Sequence, residues 1–377
     1  MLSESSTALK RQKIIKAAES CRDHGIPRSR DLDGGDRDLD GGKRVAAAAE
    51  VFDKKIIDTI IRCLFFRGAF MPGIGLVSNP YSKKNRKHPD RLQQLIECAP
   101  DKDLVRLPDS FDKMDAAMEH FKQKKVDVIA INGGDGTVHV ALTSMMKIYR
   151  GEQLPKIAIL KGGTMNMTAT NLKLRGNTVS IFKRVVKAYK ERELNCRQIS
   201  LLKVNERYGF IFGSGAVCTF MDLYHRSSNP SPLVAAKSVL AMAGSMLVHG
   251  KLAAEFFKPT WQELNADGFS FGRAPYLAFL ITTLPSVGLG MDLTFRAKVD
   301  PKKAQMIAFR DKAKIVPQVL RVWLGRSVPP DVVDDTVGSR FFINGEKSFR
   351  YTLDGDMYSS SGKLVVETWP LLDLVTE

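Results

Sequence analysis

The chain has 377 residues, of which 44% are hydrophobic, and its formal net charge is +16 at pH 7. This length is sufficient for two domains with a sizeable core, and the composition is ordinary for a globular protein. The charge favours an anionic partner, such as nucleic acid, an anionic membrane surface or a polyphosphate. A soluble basic protein without such a partner would carry the same charge.

The amino-terminal sequence and the cysteines indicate the compartment. The first residues, MLSESSTALKRQK, lack the apolar core of a secretory signal, so we expect no export. The cysteines are odd in number and show no CxxC spacing; they are Cys21, Cys63, Cys98, Cys196 and Cys218. Scattered cysteines of this kind indicate a reducing cytoplasm and argue against a disulfide framework or a zinc site.

Residues 1–72 differ from the rest of the chain and are interpreted as an amino-terminal extension. The motif RDLDGG occurs twice, at Arg30–Gly35 and Arg37–Gly42. Its aspartates lack the ligand ladder and closing Glu of an EF-hand, so a solvated linker is favoured over a calcium site. Apolar residues at near-helical spacing from Val51 to Leu64 then predict an amphipathic helix. That helix packs on the main domain or lies on a membrane.

Between residues 73 and 195, apolar strands alternate with helices. The predicted strands include Val126–Ile131 and the segment KIAIL. The predicted helices are Arg91–Cys98, a helix with Ser110 as its N-cap, Val138–Tyr149 and the segment TVSIFKRVVKAYKE. This alternation predicts a doubly wound α/β domain whose parallel sheet is covered on both faces.

Residues 196–358 change toward a period of two, which predicts a mainly β sandwich domain, and residues 359–377 are expected to return to the first domain as a strand. Hairpins are predicted in RQISLLKVNERYGFIFGSG and in SRFFINGEKSFRYTL, where Asn344-Gly345 is a type I′ turn signal. The segments DLTFRAKV and AQMIAFR are further predicted strands. The predicted helix Leu233–Phe257 has an uncharged run too short to span a bilayer, so it packs on the β domain or receives an apolar ligand.

Three loops leave predicted strands at the edge where open parallel sheets bind ligands, namely SNPYS, NGGDGT and KGGTMN. Glycines allow backbone amides to approach a phosphate closely, and the following helix N-terminus adds a favourable dipole. The residues that carry this arrangement are Gly133, Gly134, Gly136 and Thr137 in the second loop and Gly162, Gly163 and Thr164 in the third.

Asp135 narrows the choice of ligand. A carboxylate beside a polyphosphate is repelled by about 1 kcal/mol at ~4 Å in water, and by more in a drier cleft. It becomes useful there if it holds Mg²⁺ against the phosphates or accepts a proton from an attacking hydroxyl, and both roles indicate phosphoryl transfer. A tight turn in which Asp135 caps the helix is the structural alternative. The sequence contains no P-loop, protein-kinase, GxSxG or HExxH motif.

Four short motifs occur in a characteristic order. They are Asn79-Pro80 with Ser82, Gly133-Gly134-Asp135-Gly136-Thr137, Gly163-Thr164-Met165-Asn166 and Asp354-Gly355-Asp356. In their order and separation they resemble the diacylglycerol kinase catalytic-domain family, which includes bacterial diacylglycerol kinases, sphingosine kinases and ceramide kinases. The resemblance extends over residues 73–370.

The resemblance implies an ATP- and Mg²⁺-dependent kinase that phosphorylates the hydroxyl of a diacylglycerol-like or sphingoid/ceramide lipid. ATP would lie in a cleft between the α/β domain and the β sandwich. Asp356 is the expected general base, with Asp135 as the Mg²⁺ ligand and the alternative base. The implied nucleotide contacts are Asn79, Pro80, Ser82, Gly133, Gly134, Asp135, Gly136, Thr137, Gly162, Gly163, Thr164, Asn166, Asp354 and Gly355.

Three departures from the family pattern affect these expectations. The last motif normally ends in Glu, so Asp356 is one methylene shorter, and Met167 stands where relatives often have an acid. The first motif continues with basic residues instead of glycines; these are Lys83, Lys84, Arg86, Lys87 and Arg91. They clamp phosphates, contact anionic lipid head groups or form a solvated basic loop.

Two rival functions remain open from the sequence. One is a soluble-substrate kinase of the same superfamily, such as one acting on NAD, and the other is a non-catalytic protein that binds lipid or nucleic acid. No aromatic residues are interleaved with the basic run, so we expect no nucleic-acid partner. We expect a cytoplasmic protein that visits the inner face of an anionic membrane. The sequence leaves the lipid and the oligomeric state undetermined.

Overall fold

The computed structural model describes residues 73–226, 257–288, 292–310 and 333–376, together with the isolated positions 234, 318, 321 and 328. Every described residue belongs to one compact unit, which comprises residues 71–377. The linker and the amphipathic helix predicted within residues 1–72 lie outside the described residues. So does the predicted helix Leu233–Phe257, apart from position 234 and Phe257.

The first half of the described chain is a parallel sheet with helices. Its strands are β1, Ile74–Ser78; β2, Val105–Arg106; β3, Val128–Gly133; and β4, Lys156–Lys161. They lie in the order β2-β1-β3-β4, and each pairing is parallel. β1 and β3 are buried along their whole length, as expected for strands covered by helices on both faces. The predicted α/β domain is therefore confirmed.

The four helices predicted in this half are present and begin close to their predicted positions. The helices of this half are α1, Lys83–Lys87; α2, Pro89–Glu97; α3, Phe111–Gln123; α4, Asp135–Tyr149; α5, Met167–Asn171; and α6, Thr178–Glu191. The short helices α1 and α5 were not predicted. The Ser110 side chain accepts a hydrogen bond from the Lys113 N–H (3.3 Å) and so caps α3 as predicted. Asn177 caps α6 in the same way through the Ser180 N–H at 2.9 Å.

The second half of the described chain is mainly β. Its elements are β5, Cys196–Val204; β6, Arg207–Gly209; β7, Ile211–Gly215; α7, Ala216–Arg226; β8, Thr260–Ala266; β9, Phe269–Tyr276; β10, Ala278–Thr282; β11, Ala304–Phe309; β12, Asp334–Gly338; β13, Arg340–Gly345; β14, Phe349–Leu353; β15, Asp356–Ser360; and β16, Lys363–Val375. The predicted hairpin of β5 and β6 and the predicted strand β11 are both present. Among the described residues no helix is both long enough and apolar enough to cross a membrane.

The strand β16 joins the two halves. Its residue Leu374 pairs in parallel with Ile157 of β4, while the strand also pairs antiparallel with β5 and β13. As a result, the parallel sheet continues through β16, β13, β8 and β9 into one sheet of ten strands, which also includes β5 and β6. The domain limits predicted at residues 195 and 358 stay predictions.

Six further strands form an antiparallel sheet in the order β12-β11-β10-β7-β14-β15. This sheet packs against the antiparallel part of the ten-stranded sheet. Phe212 and Tyr351 of the six-stranded sheet stack with their ring centroids 5.3 Å apart. They share one buried core with Phe341 and Ile343 of β13. The predicted β sandwich is therefore confirmed.

The predicted hairpin around Asn344-Gly345 is wrong. β13 ends at Gly345 and β14 begins at Phe349, but β13 pairs with β8 and β16, whereas β14 pairs with β7 and β15 in the other sheet. Phe341 and Tyr351 enter the sandwich core from opposite sheets. Burial of both apolar faces requires the chain to cross between the sheets, and this tertiary requirement overrides the local turn preference.

The strand predicted in DLTFRAKV is also wrong, because Phe295–Lys298 form a short 3₁₀ helix. The Thr294 hydroxyl donates to the carbonyl oxygen of Leu284 at 2.8 Å, and the Arg296 N–H donates to the Gln305 side chain at 2.9 Å. These side chain–backbone bonds offer the segment an alternative to a strand ladder.

Candidate active site

Three loops meet at the carboxyl ends of β1, β3 and β4. The Asn79 side-chain amide donates to the Thr137 hydroxyl at 3.1 Å, and the Ser82 hydroxyl donates to the carbonyl oxygen of Gly162 at 3.2 Å. The loop after β1 therefore binds both glycine loops. Asn79, Ser82 and Thr137 thus hold the loops to one another.

The two glycine loops touch through their backbones. A Cβ added to Gly163 would lie 2.2 Å from the Cα of Gly134, and one added to Gly162 would lie 2.7 Å from the backbone nitrogen of Gly133. Such distances are well inside van der Waals contact. Gly133 is enclosed in a different way, because its Cβ would lie 2.3 Å from the Cβ of Thr137. These three positions therefore require glycine for close approach.

The glycine loop after β3 is also the first turn of α4. The helix begins at Asp135, three residues before the predicted start, with Gly134 at the N-cap position. The first amides of a helix have no partner within the helix, and the helix dipole is positive at this end. This loop is therefore suited to receive an anion.

A cleft of about 530 Å³ opens over these loops. It is lined by Asn79, Ser82, Lys83, Pro108, Asp109, Ser110, Phe111, Met114, Gly134, Gly136, Thr137, Val140, Gly163, Thr164 and Asp356. All of these residues except Asp356 come from the α/β half. The cleft thus combines residues of both glycine loops with one carboxylate from the β sandwich, that of Asp356.

Asp356 reaches the cleft from a tight turn. Asp354 and Gly355 both have positive φ angles, 52° and 96°, and connect β14 to β15 in an antiparallel pair with Leu353 opposite Asp356. A Cβ added to Gly136 would lie 3.8 Å from each carboxylate oxygen of Asp356. The turn therefore places this acid beside the first turn of α4.

Asp135 adopts a different role from Asp356. Its Oδ1 accepts a hydrogen bond from the Met167 N–H at 2.8 Å, at the start of α5. Burial raises the pKa of Asp135, while the backbone N–H groups of Met167, Thr168 and Asn166 oppose that rise. Asp135 is not among the residues that line the cleft. Its carboxylate therefore joins the two glycine loops by capping the helix after the second one.

Asp354 is buried behind the turn. Its Oδ1 accepts from the backbone N–H groups of Phe210 at 3.0 Å and Ile211 at 2.9 Å. Burial, with a smaller contribution from the charges of Asp135 and Asp356, raises the pKa of Asp354 from an ordinary value of 3.8 to about 7, while the hydrogen bonds from the Phe210 and Ile211 backbone oppose that rise. Asp354 therefore holds the junction of β6 and β7 and does not face the cleft.

The raised pKa of Asp354 predicts how stability changes with pH. Because the fold favours the protonated acid, this contribution is fully present below the unfolded pKa and is lost as the pH rises through about 7. Between the ordinary pKa of 3.8 and the folded pKa of about 7, the unfolding free energy of the wild type should fall relative to that of Asp354→Asn by about 1.4 kcal/mol per pH unit. Urea unfolding of both proteins from about pH 5 to pH 8 measures the difference. Parallel stability curves would contradict the assignment.

The structure divides the sequence-predicted residues into two groups. Those at the cleft are Asn79, Ser82, Gly134, Gly136, Thr137, Gly163, Thr164 and Asp356. Those that shape it from behind are Pro80, Gly133, Asp135, Gly162, Asn166, Asp354 and Gly355, which are not among the lining residues. Asn166 illustrates the second group, since its side chain accepts from the Gly163 N–H and donates to the Gly163 carbonyl oxygen. It closes the second glycine loop upon itself.

The sequence reasoning missed the wall formed by the loop between β2 and α3. Pro108 and Phe111 line the cleft, and Phe111 is 73% exposed. β2 has only two residues, which is too short for a periodic pattern. The predicted N-cap at Ser110 was the available signal, because the helix that follows a parallel strand starts at the ligand-binding edge.

The basic loop after β1 forms the helix α1. Lys83 lines the cleft, and the Lys84 ammonium donates to the carbonyl oxygen of Lys161 at 3.2 Å. Burial lowers the pKa of Lys84, and the positive charges of Lys161 and Arg91 lower it further. The rim of the cleft therefore carries concentrated positive charge.

A metal ion has few side-chain ligands here. Within the described part of the chain, no group of three or more His, Cys, Asp or Glu side chains is placed to hold a metal. Mg²⁺ usually keeps several waters and takes one or two carboxylates together with substrate phosphates. Asp135, the predicted Mg²⁺ ligand, bonds Met167 through its Oδ1 and is not among the residues that line the cleft, so its role as a metal ligand stays a prediction.

Comparison with known proteins agrees with this geometry. Residues 74–196 match the family model of the diacylglycerol kinase catalytic domain, which confirms the resemblance seen in the motifs. This match supports a kinase, that is, a phosphotransferase that uses a nucleotide. No curated protein matches the sequence.

Solved structures share the fold at low sequence identity. A diacylglycerol kinase from Bacillus anthracis str. Sterne has a TM-score of 0.57 and 14% identity, covering 81% of this chain and 97% of that one. A candidate diacylglycerol kinase from the same organism has a TM-score of 0.61 and 16% identity, covering 81% and 95%. At this identity the likeness establishes the fold alone.

Proposed function

We propose that the protein is an ATP- and Mg²⁺-dependent lipid kinase that transfers the γ-phosphate to the hydroxyl of a diacylglycerol-like or sphingoid/ceramide lipid. The observation that carries this proposal is the position of Asp356. It is the single carboxylate that the β half contributes to a cleft floored by two glycine loops. Phosphoryl transfer requires both an anion cradle and a group that accepts the proton of the attacking hydroxyl.

The phosphates of the nucleotide would bind over the two glycine loops. Gly134, Gly136 and Gly163 face the cleft without side chains, and the amides at the start of α4 point toward it. Thr137 supplies a hydroxyl, and Lys83 supplies a positive charge at the rim. This arrangement neutralises and orients a triphosphate without a P-loop.

Asp356 is the better candidate for the general base. It lines the cleft, whereas the carboxylate of Asp135 accepts a hydrogen bond from Met167 and is not among the lining residues. A base must come within hydrogen-bond reach of the proton that it removes. Asp135 would hold Mg²⁺, and the ion when bound would offset the charge of the phosphates.

The acceptor would lie on the side of the cleft where the two halves meet. A Cβ added to Gly288 would lie 3.1 Å from Met167 Sδ and 3.6 Å from Met165 Cε, and one added to Gly355 would lie 3.1 Å from Met221 Cε. Methionine side chains are flexible and fill irregular apolar space. Met167, which stands where relatives often have an acid, is partly buried against the core and contacts the β half at Gly288, and we propose that the lipid binds beside this apolar contact.

The basic rim also suits a lipid substrate presented in a membrane. Arg86 and Lys87 of α1 are exposed, and each well-placed basic residue contributes about 1 kcal/mol to binding an anionic leaflet. We propose that the protein works as a cytoplasmic enzyme that visits the inner face of such a membrane transiently.

The substrate proposal predicts the outcome of an acceptor panel. Labelled ATP with Mg²⁺ is offered with diacylglycerol, ceramide or sphingosine in mixed micelles, or with NAD in solution. We expect labelled phosphate on one of the lipids and none on NAD, with higher rates when the micelles contain anionic lipid. Phosphorylation of NAD alone would identify a soluble-substrate kinase. Absence of transfer to every acceptor would contradict the kinase proposal.

A further inference from the structure

A buried histidine on α4 has no role in the proposed chemistry. His139 is 2% exposed, and its Nε2 lies 3.0 Å from the hydroxyl of Tyr358 on β15. Burial lowers the pKa of His139, against the charge of Asp356, which raises it. The bond between His139 and Tyr358 joins α4 to β15. Neither residue is among those that line the cleft, so the bond does not act by contacting a ligand there.

Tyr358 and Asp356 belong to the same face of β15. Asp356 lies opposite Leu353 and Tyr358 lies opposite Tyr351 in the pairing with β14, and residues two apart on a strand point the same way. On α4, Gly136 and His139 are three residues apart and therefore neighbours on one face. Three residues advance about 4.5 Å along a helix and two residues about 6.6 Å along a strand.

The helix and the strand therefore meet at two successive points. Gly136 lies beside the carboxylate of Asp356, and His139 bonds Tyr358. Because glycine has no side chain, the first point leaves Asp356 unrestrained by α4. The second point is a polar contact between α4 and the strand that carries this acid, two residues from it.

β15 needs such a restraint because of its position. Among the described residues it is the edge strand of the six-stranded sheet and pairs with β14 alone, so half of its backbone groups have no ladder partner there. Asp356 is its first residue, directly after the two-residue turn. Without a side-chain bond between β15 and α4, Asp356 would move with a short edge strand that is paired on one side.

Tyr358 has a second contact, with Arg207 of β6. The Arg207 guanidinium lies 4.2 Å from the centroid of the Tyr358 ring, a cation–π distance. Arg207 belongs to β6, and the Tyr208 N–H of that strand donates to the Thr143 hydroxyl of α4 at 3.1 Å. Tyr358 is therefore held between α4, β6 and its own sheet.

We propose that Tyr358 and His139 are positioning residues that hold Asp356 at the glycine loop through one hydrogen bond between α4 and β15. This proposal rests on the proposed function, because the group being positioned is the general base of that reaction. The bond acts through placement and does not touch the substrate. A misplacement on the order of 1 Å at a catalytic group costs up to about 100-fold in rate.

The first test replaces Tyr358→Phe and His139→Leu, singly and together, and compares them with His139→Gln, which keeps a polar atom at similar reach. We expect each single apolar variant to lower kcat about 10-fold to 100-fold with KM for ATP and lipid within about twofold of wild type. His139→Gln should retain most of the rate. Tyr276→Phe is the matched control, because it removes a hydroxyl that donates to Asp334 at 2.8 Å elsewhere in the β half.

The double variant separates positioning from simple stability. The double variant leaves neither His139 nor Tyr358 buried without the other, so its melting temperature should recover part of the loss seen in the single variants. Its kcat should stay as low as that of either single variant. Recovery of kcat together with the melting temperature would show a purely structural bond, and an increase of KM at constant kcat would show substrate contact. Either result would overturn the proposal.

Hydrogen–deuterium exchange tests the placement without any activity. Amides of β15 should exchange faster in Tyr358→Phe than in wild type or in Tyr276→Phe. If the wild type transfers no phosphate, the proposed function fails, yet the exchange comparison still judges whether this bond restrains Asp356. Unchanged exchange in β15 would refute the positioning role.

Discussion

Replacing Asp356 by Asn is expected to reduce kcat about 10²–10⁴-fold, the usual contribution of a general base. Asn has nearly the same shape but cannot accept the proton of the attacking hydroxyl. Asp356 is partly exposed in the cleft, so the change leaves no buried unpaired group, and we expect the melting temperature and the affinity for ATP to stay close to wild type. Single-turnover transfer of labelled phosphate to the preferred acceptor measures the loss.

Two further variants serve as controls for the loss of rate in Asp356→Asn. Asp90→Asn changes an exposed acid in the first turn of α2 and should keep the full rate. Asp135→Asn should retain the cap on α5, because the Asn oxygen can still accept from the Met167 N–H. It should instead raise the Mg²⁺ concentration that gives the half-maximal rate. If Asp356→Asn kept the wild-type rate while Asp135→Asn lost it, the roles of the two acids would be exchanged.

The different roles of Asp354 and Asp356 could not be read from the sequence. Both acids flank Gly355, and nothing in the motif says which one is buried. The positive φ angles of Asp354 and Gly355 decide this, because the tight turn directs one carboxylate to the amides of Phe210 and Ile211 and the other to α4. Those partners are more than a hundred residues away in the chain.

The parts of the fold that were predictable depend on local signals. The strands β1 and β3 are continuous apolar runs, and Ser110 and the glycine loops mark the starts of α3 and α4. The β half was less predictable, because the partner of each strand is chosen by burial across two sheets. The signal at Asn344-Gly345 failed for this reason, since β13 and β14 end in different sheets. His139 could not be singled out from the sequence, because no local pattern in α4 distinguishes it from the other polar residues of that helix.

The contact between the two glycine loops predicts the largest effect of a small substitution. Gly163→Ala would place a Cβ 2.2 Å from the Cα of Gly134, and a backbone atom cannot move aside as a flexible side chain can. The loops must separate, at a cost of about 1–3 kcal/mol in stability from overpacking. We expect the melting temperature to fall and ATP binding, measured by calorimetry, to weaken at least about tenfold, because the phosphate cradle is built from both loops.

A graded series within the same site tests the steric reason. An added Cβ meets its nearest atom at 2.2 Å for Gly163, at 3.4 Å for Gly134 and at 3.8 Å for Gly136. Losses of stability should follow that order. Gly136→Ala should even gain up to about 1 kcal/mol, because alanine is the better helix former within α4, while its methyl group faces Asp356 and slows transfer. Equal stability of all three variants would mean that the two glycine loops can separate without a cost in free energy. Loops that separate so easily could not hold the phosphates in line for attack, and this result would contradict the proposed phosphate site.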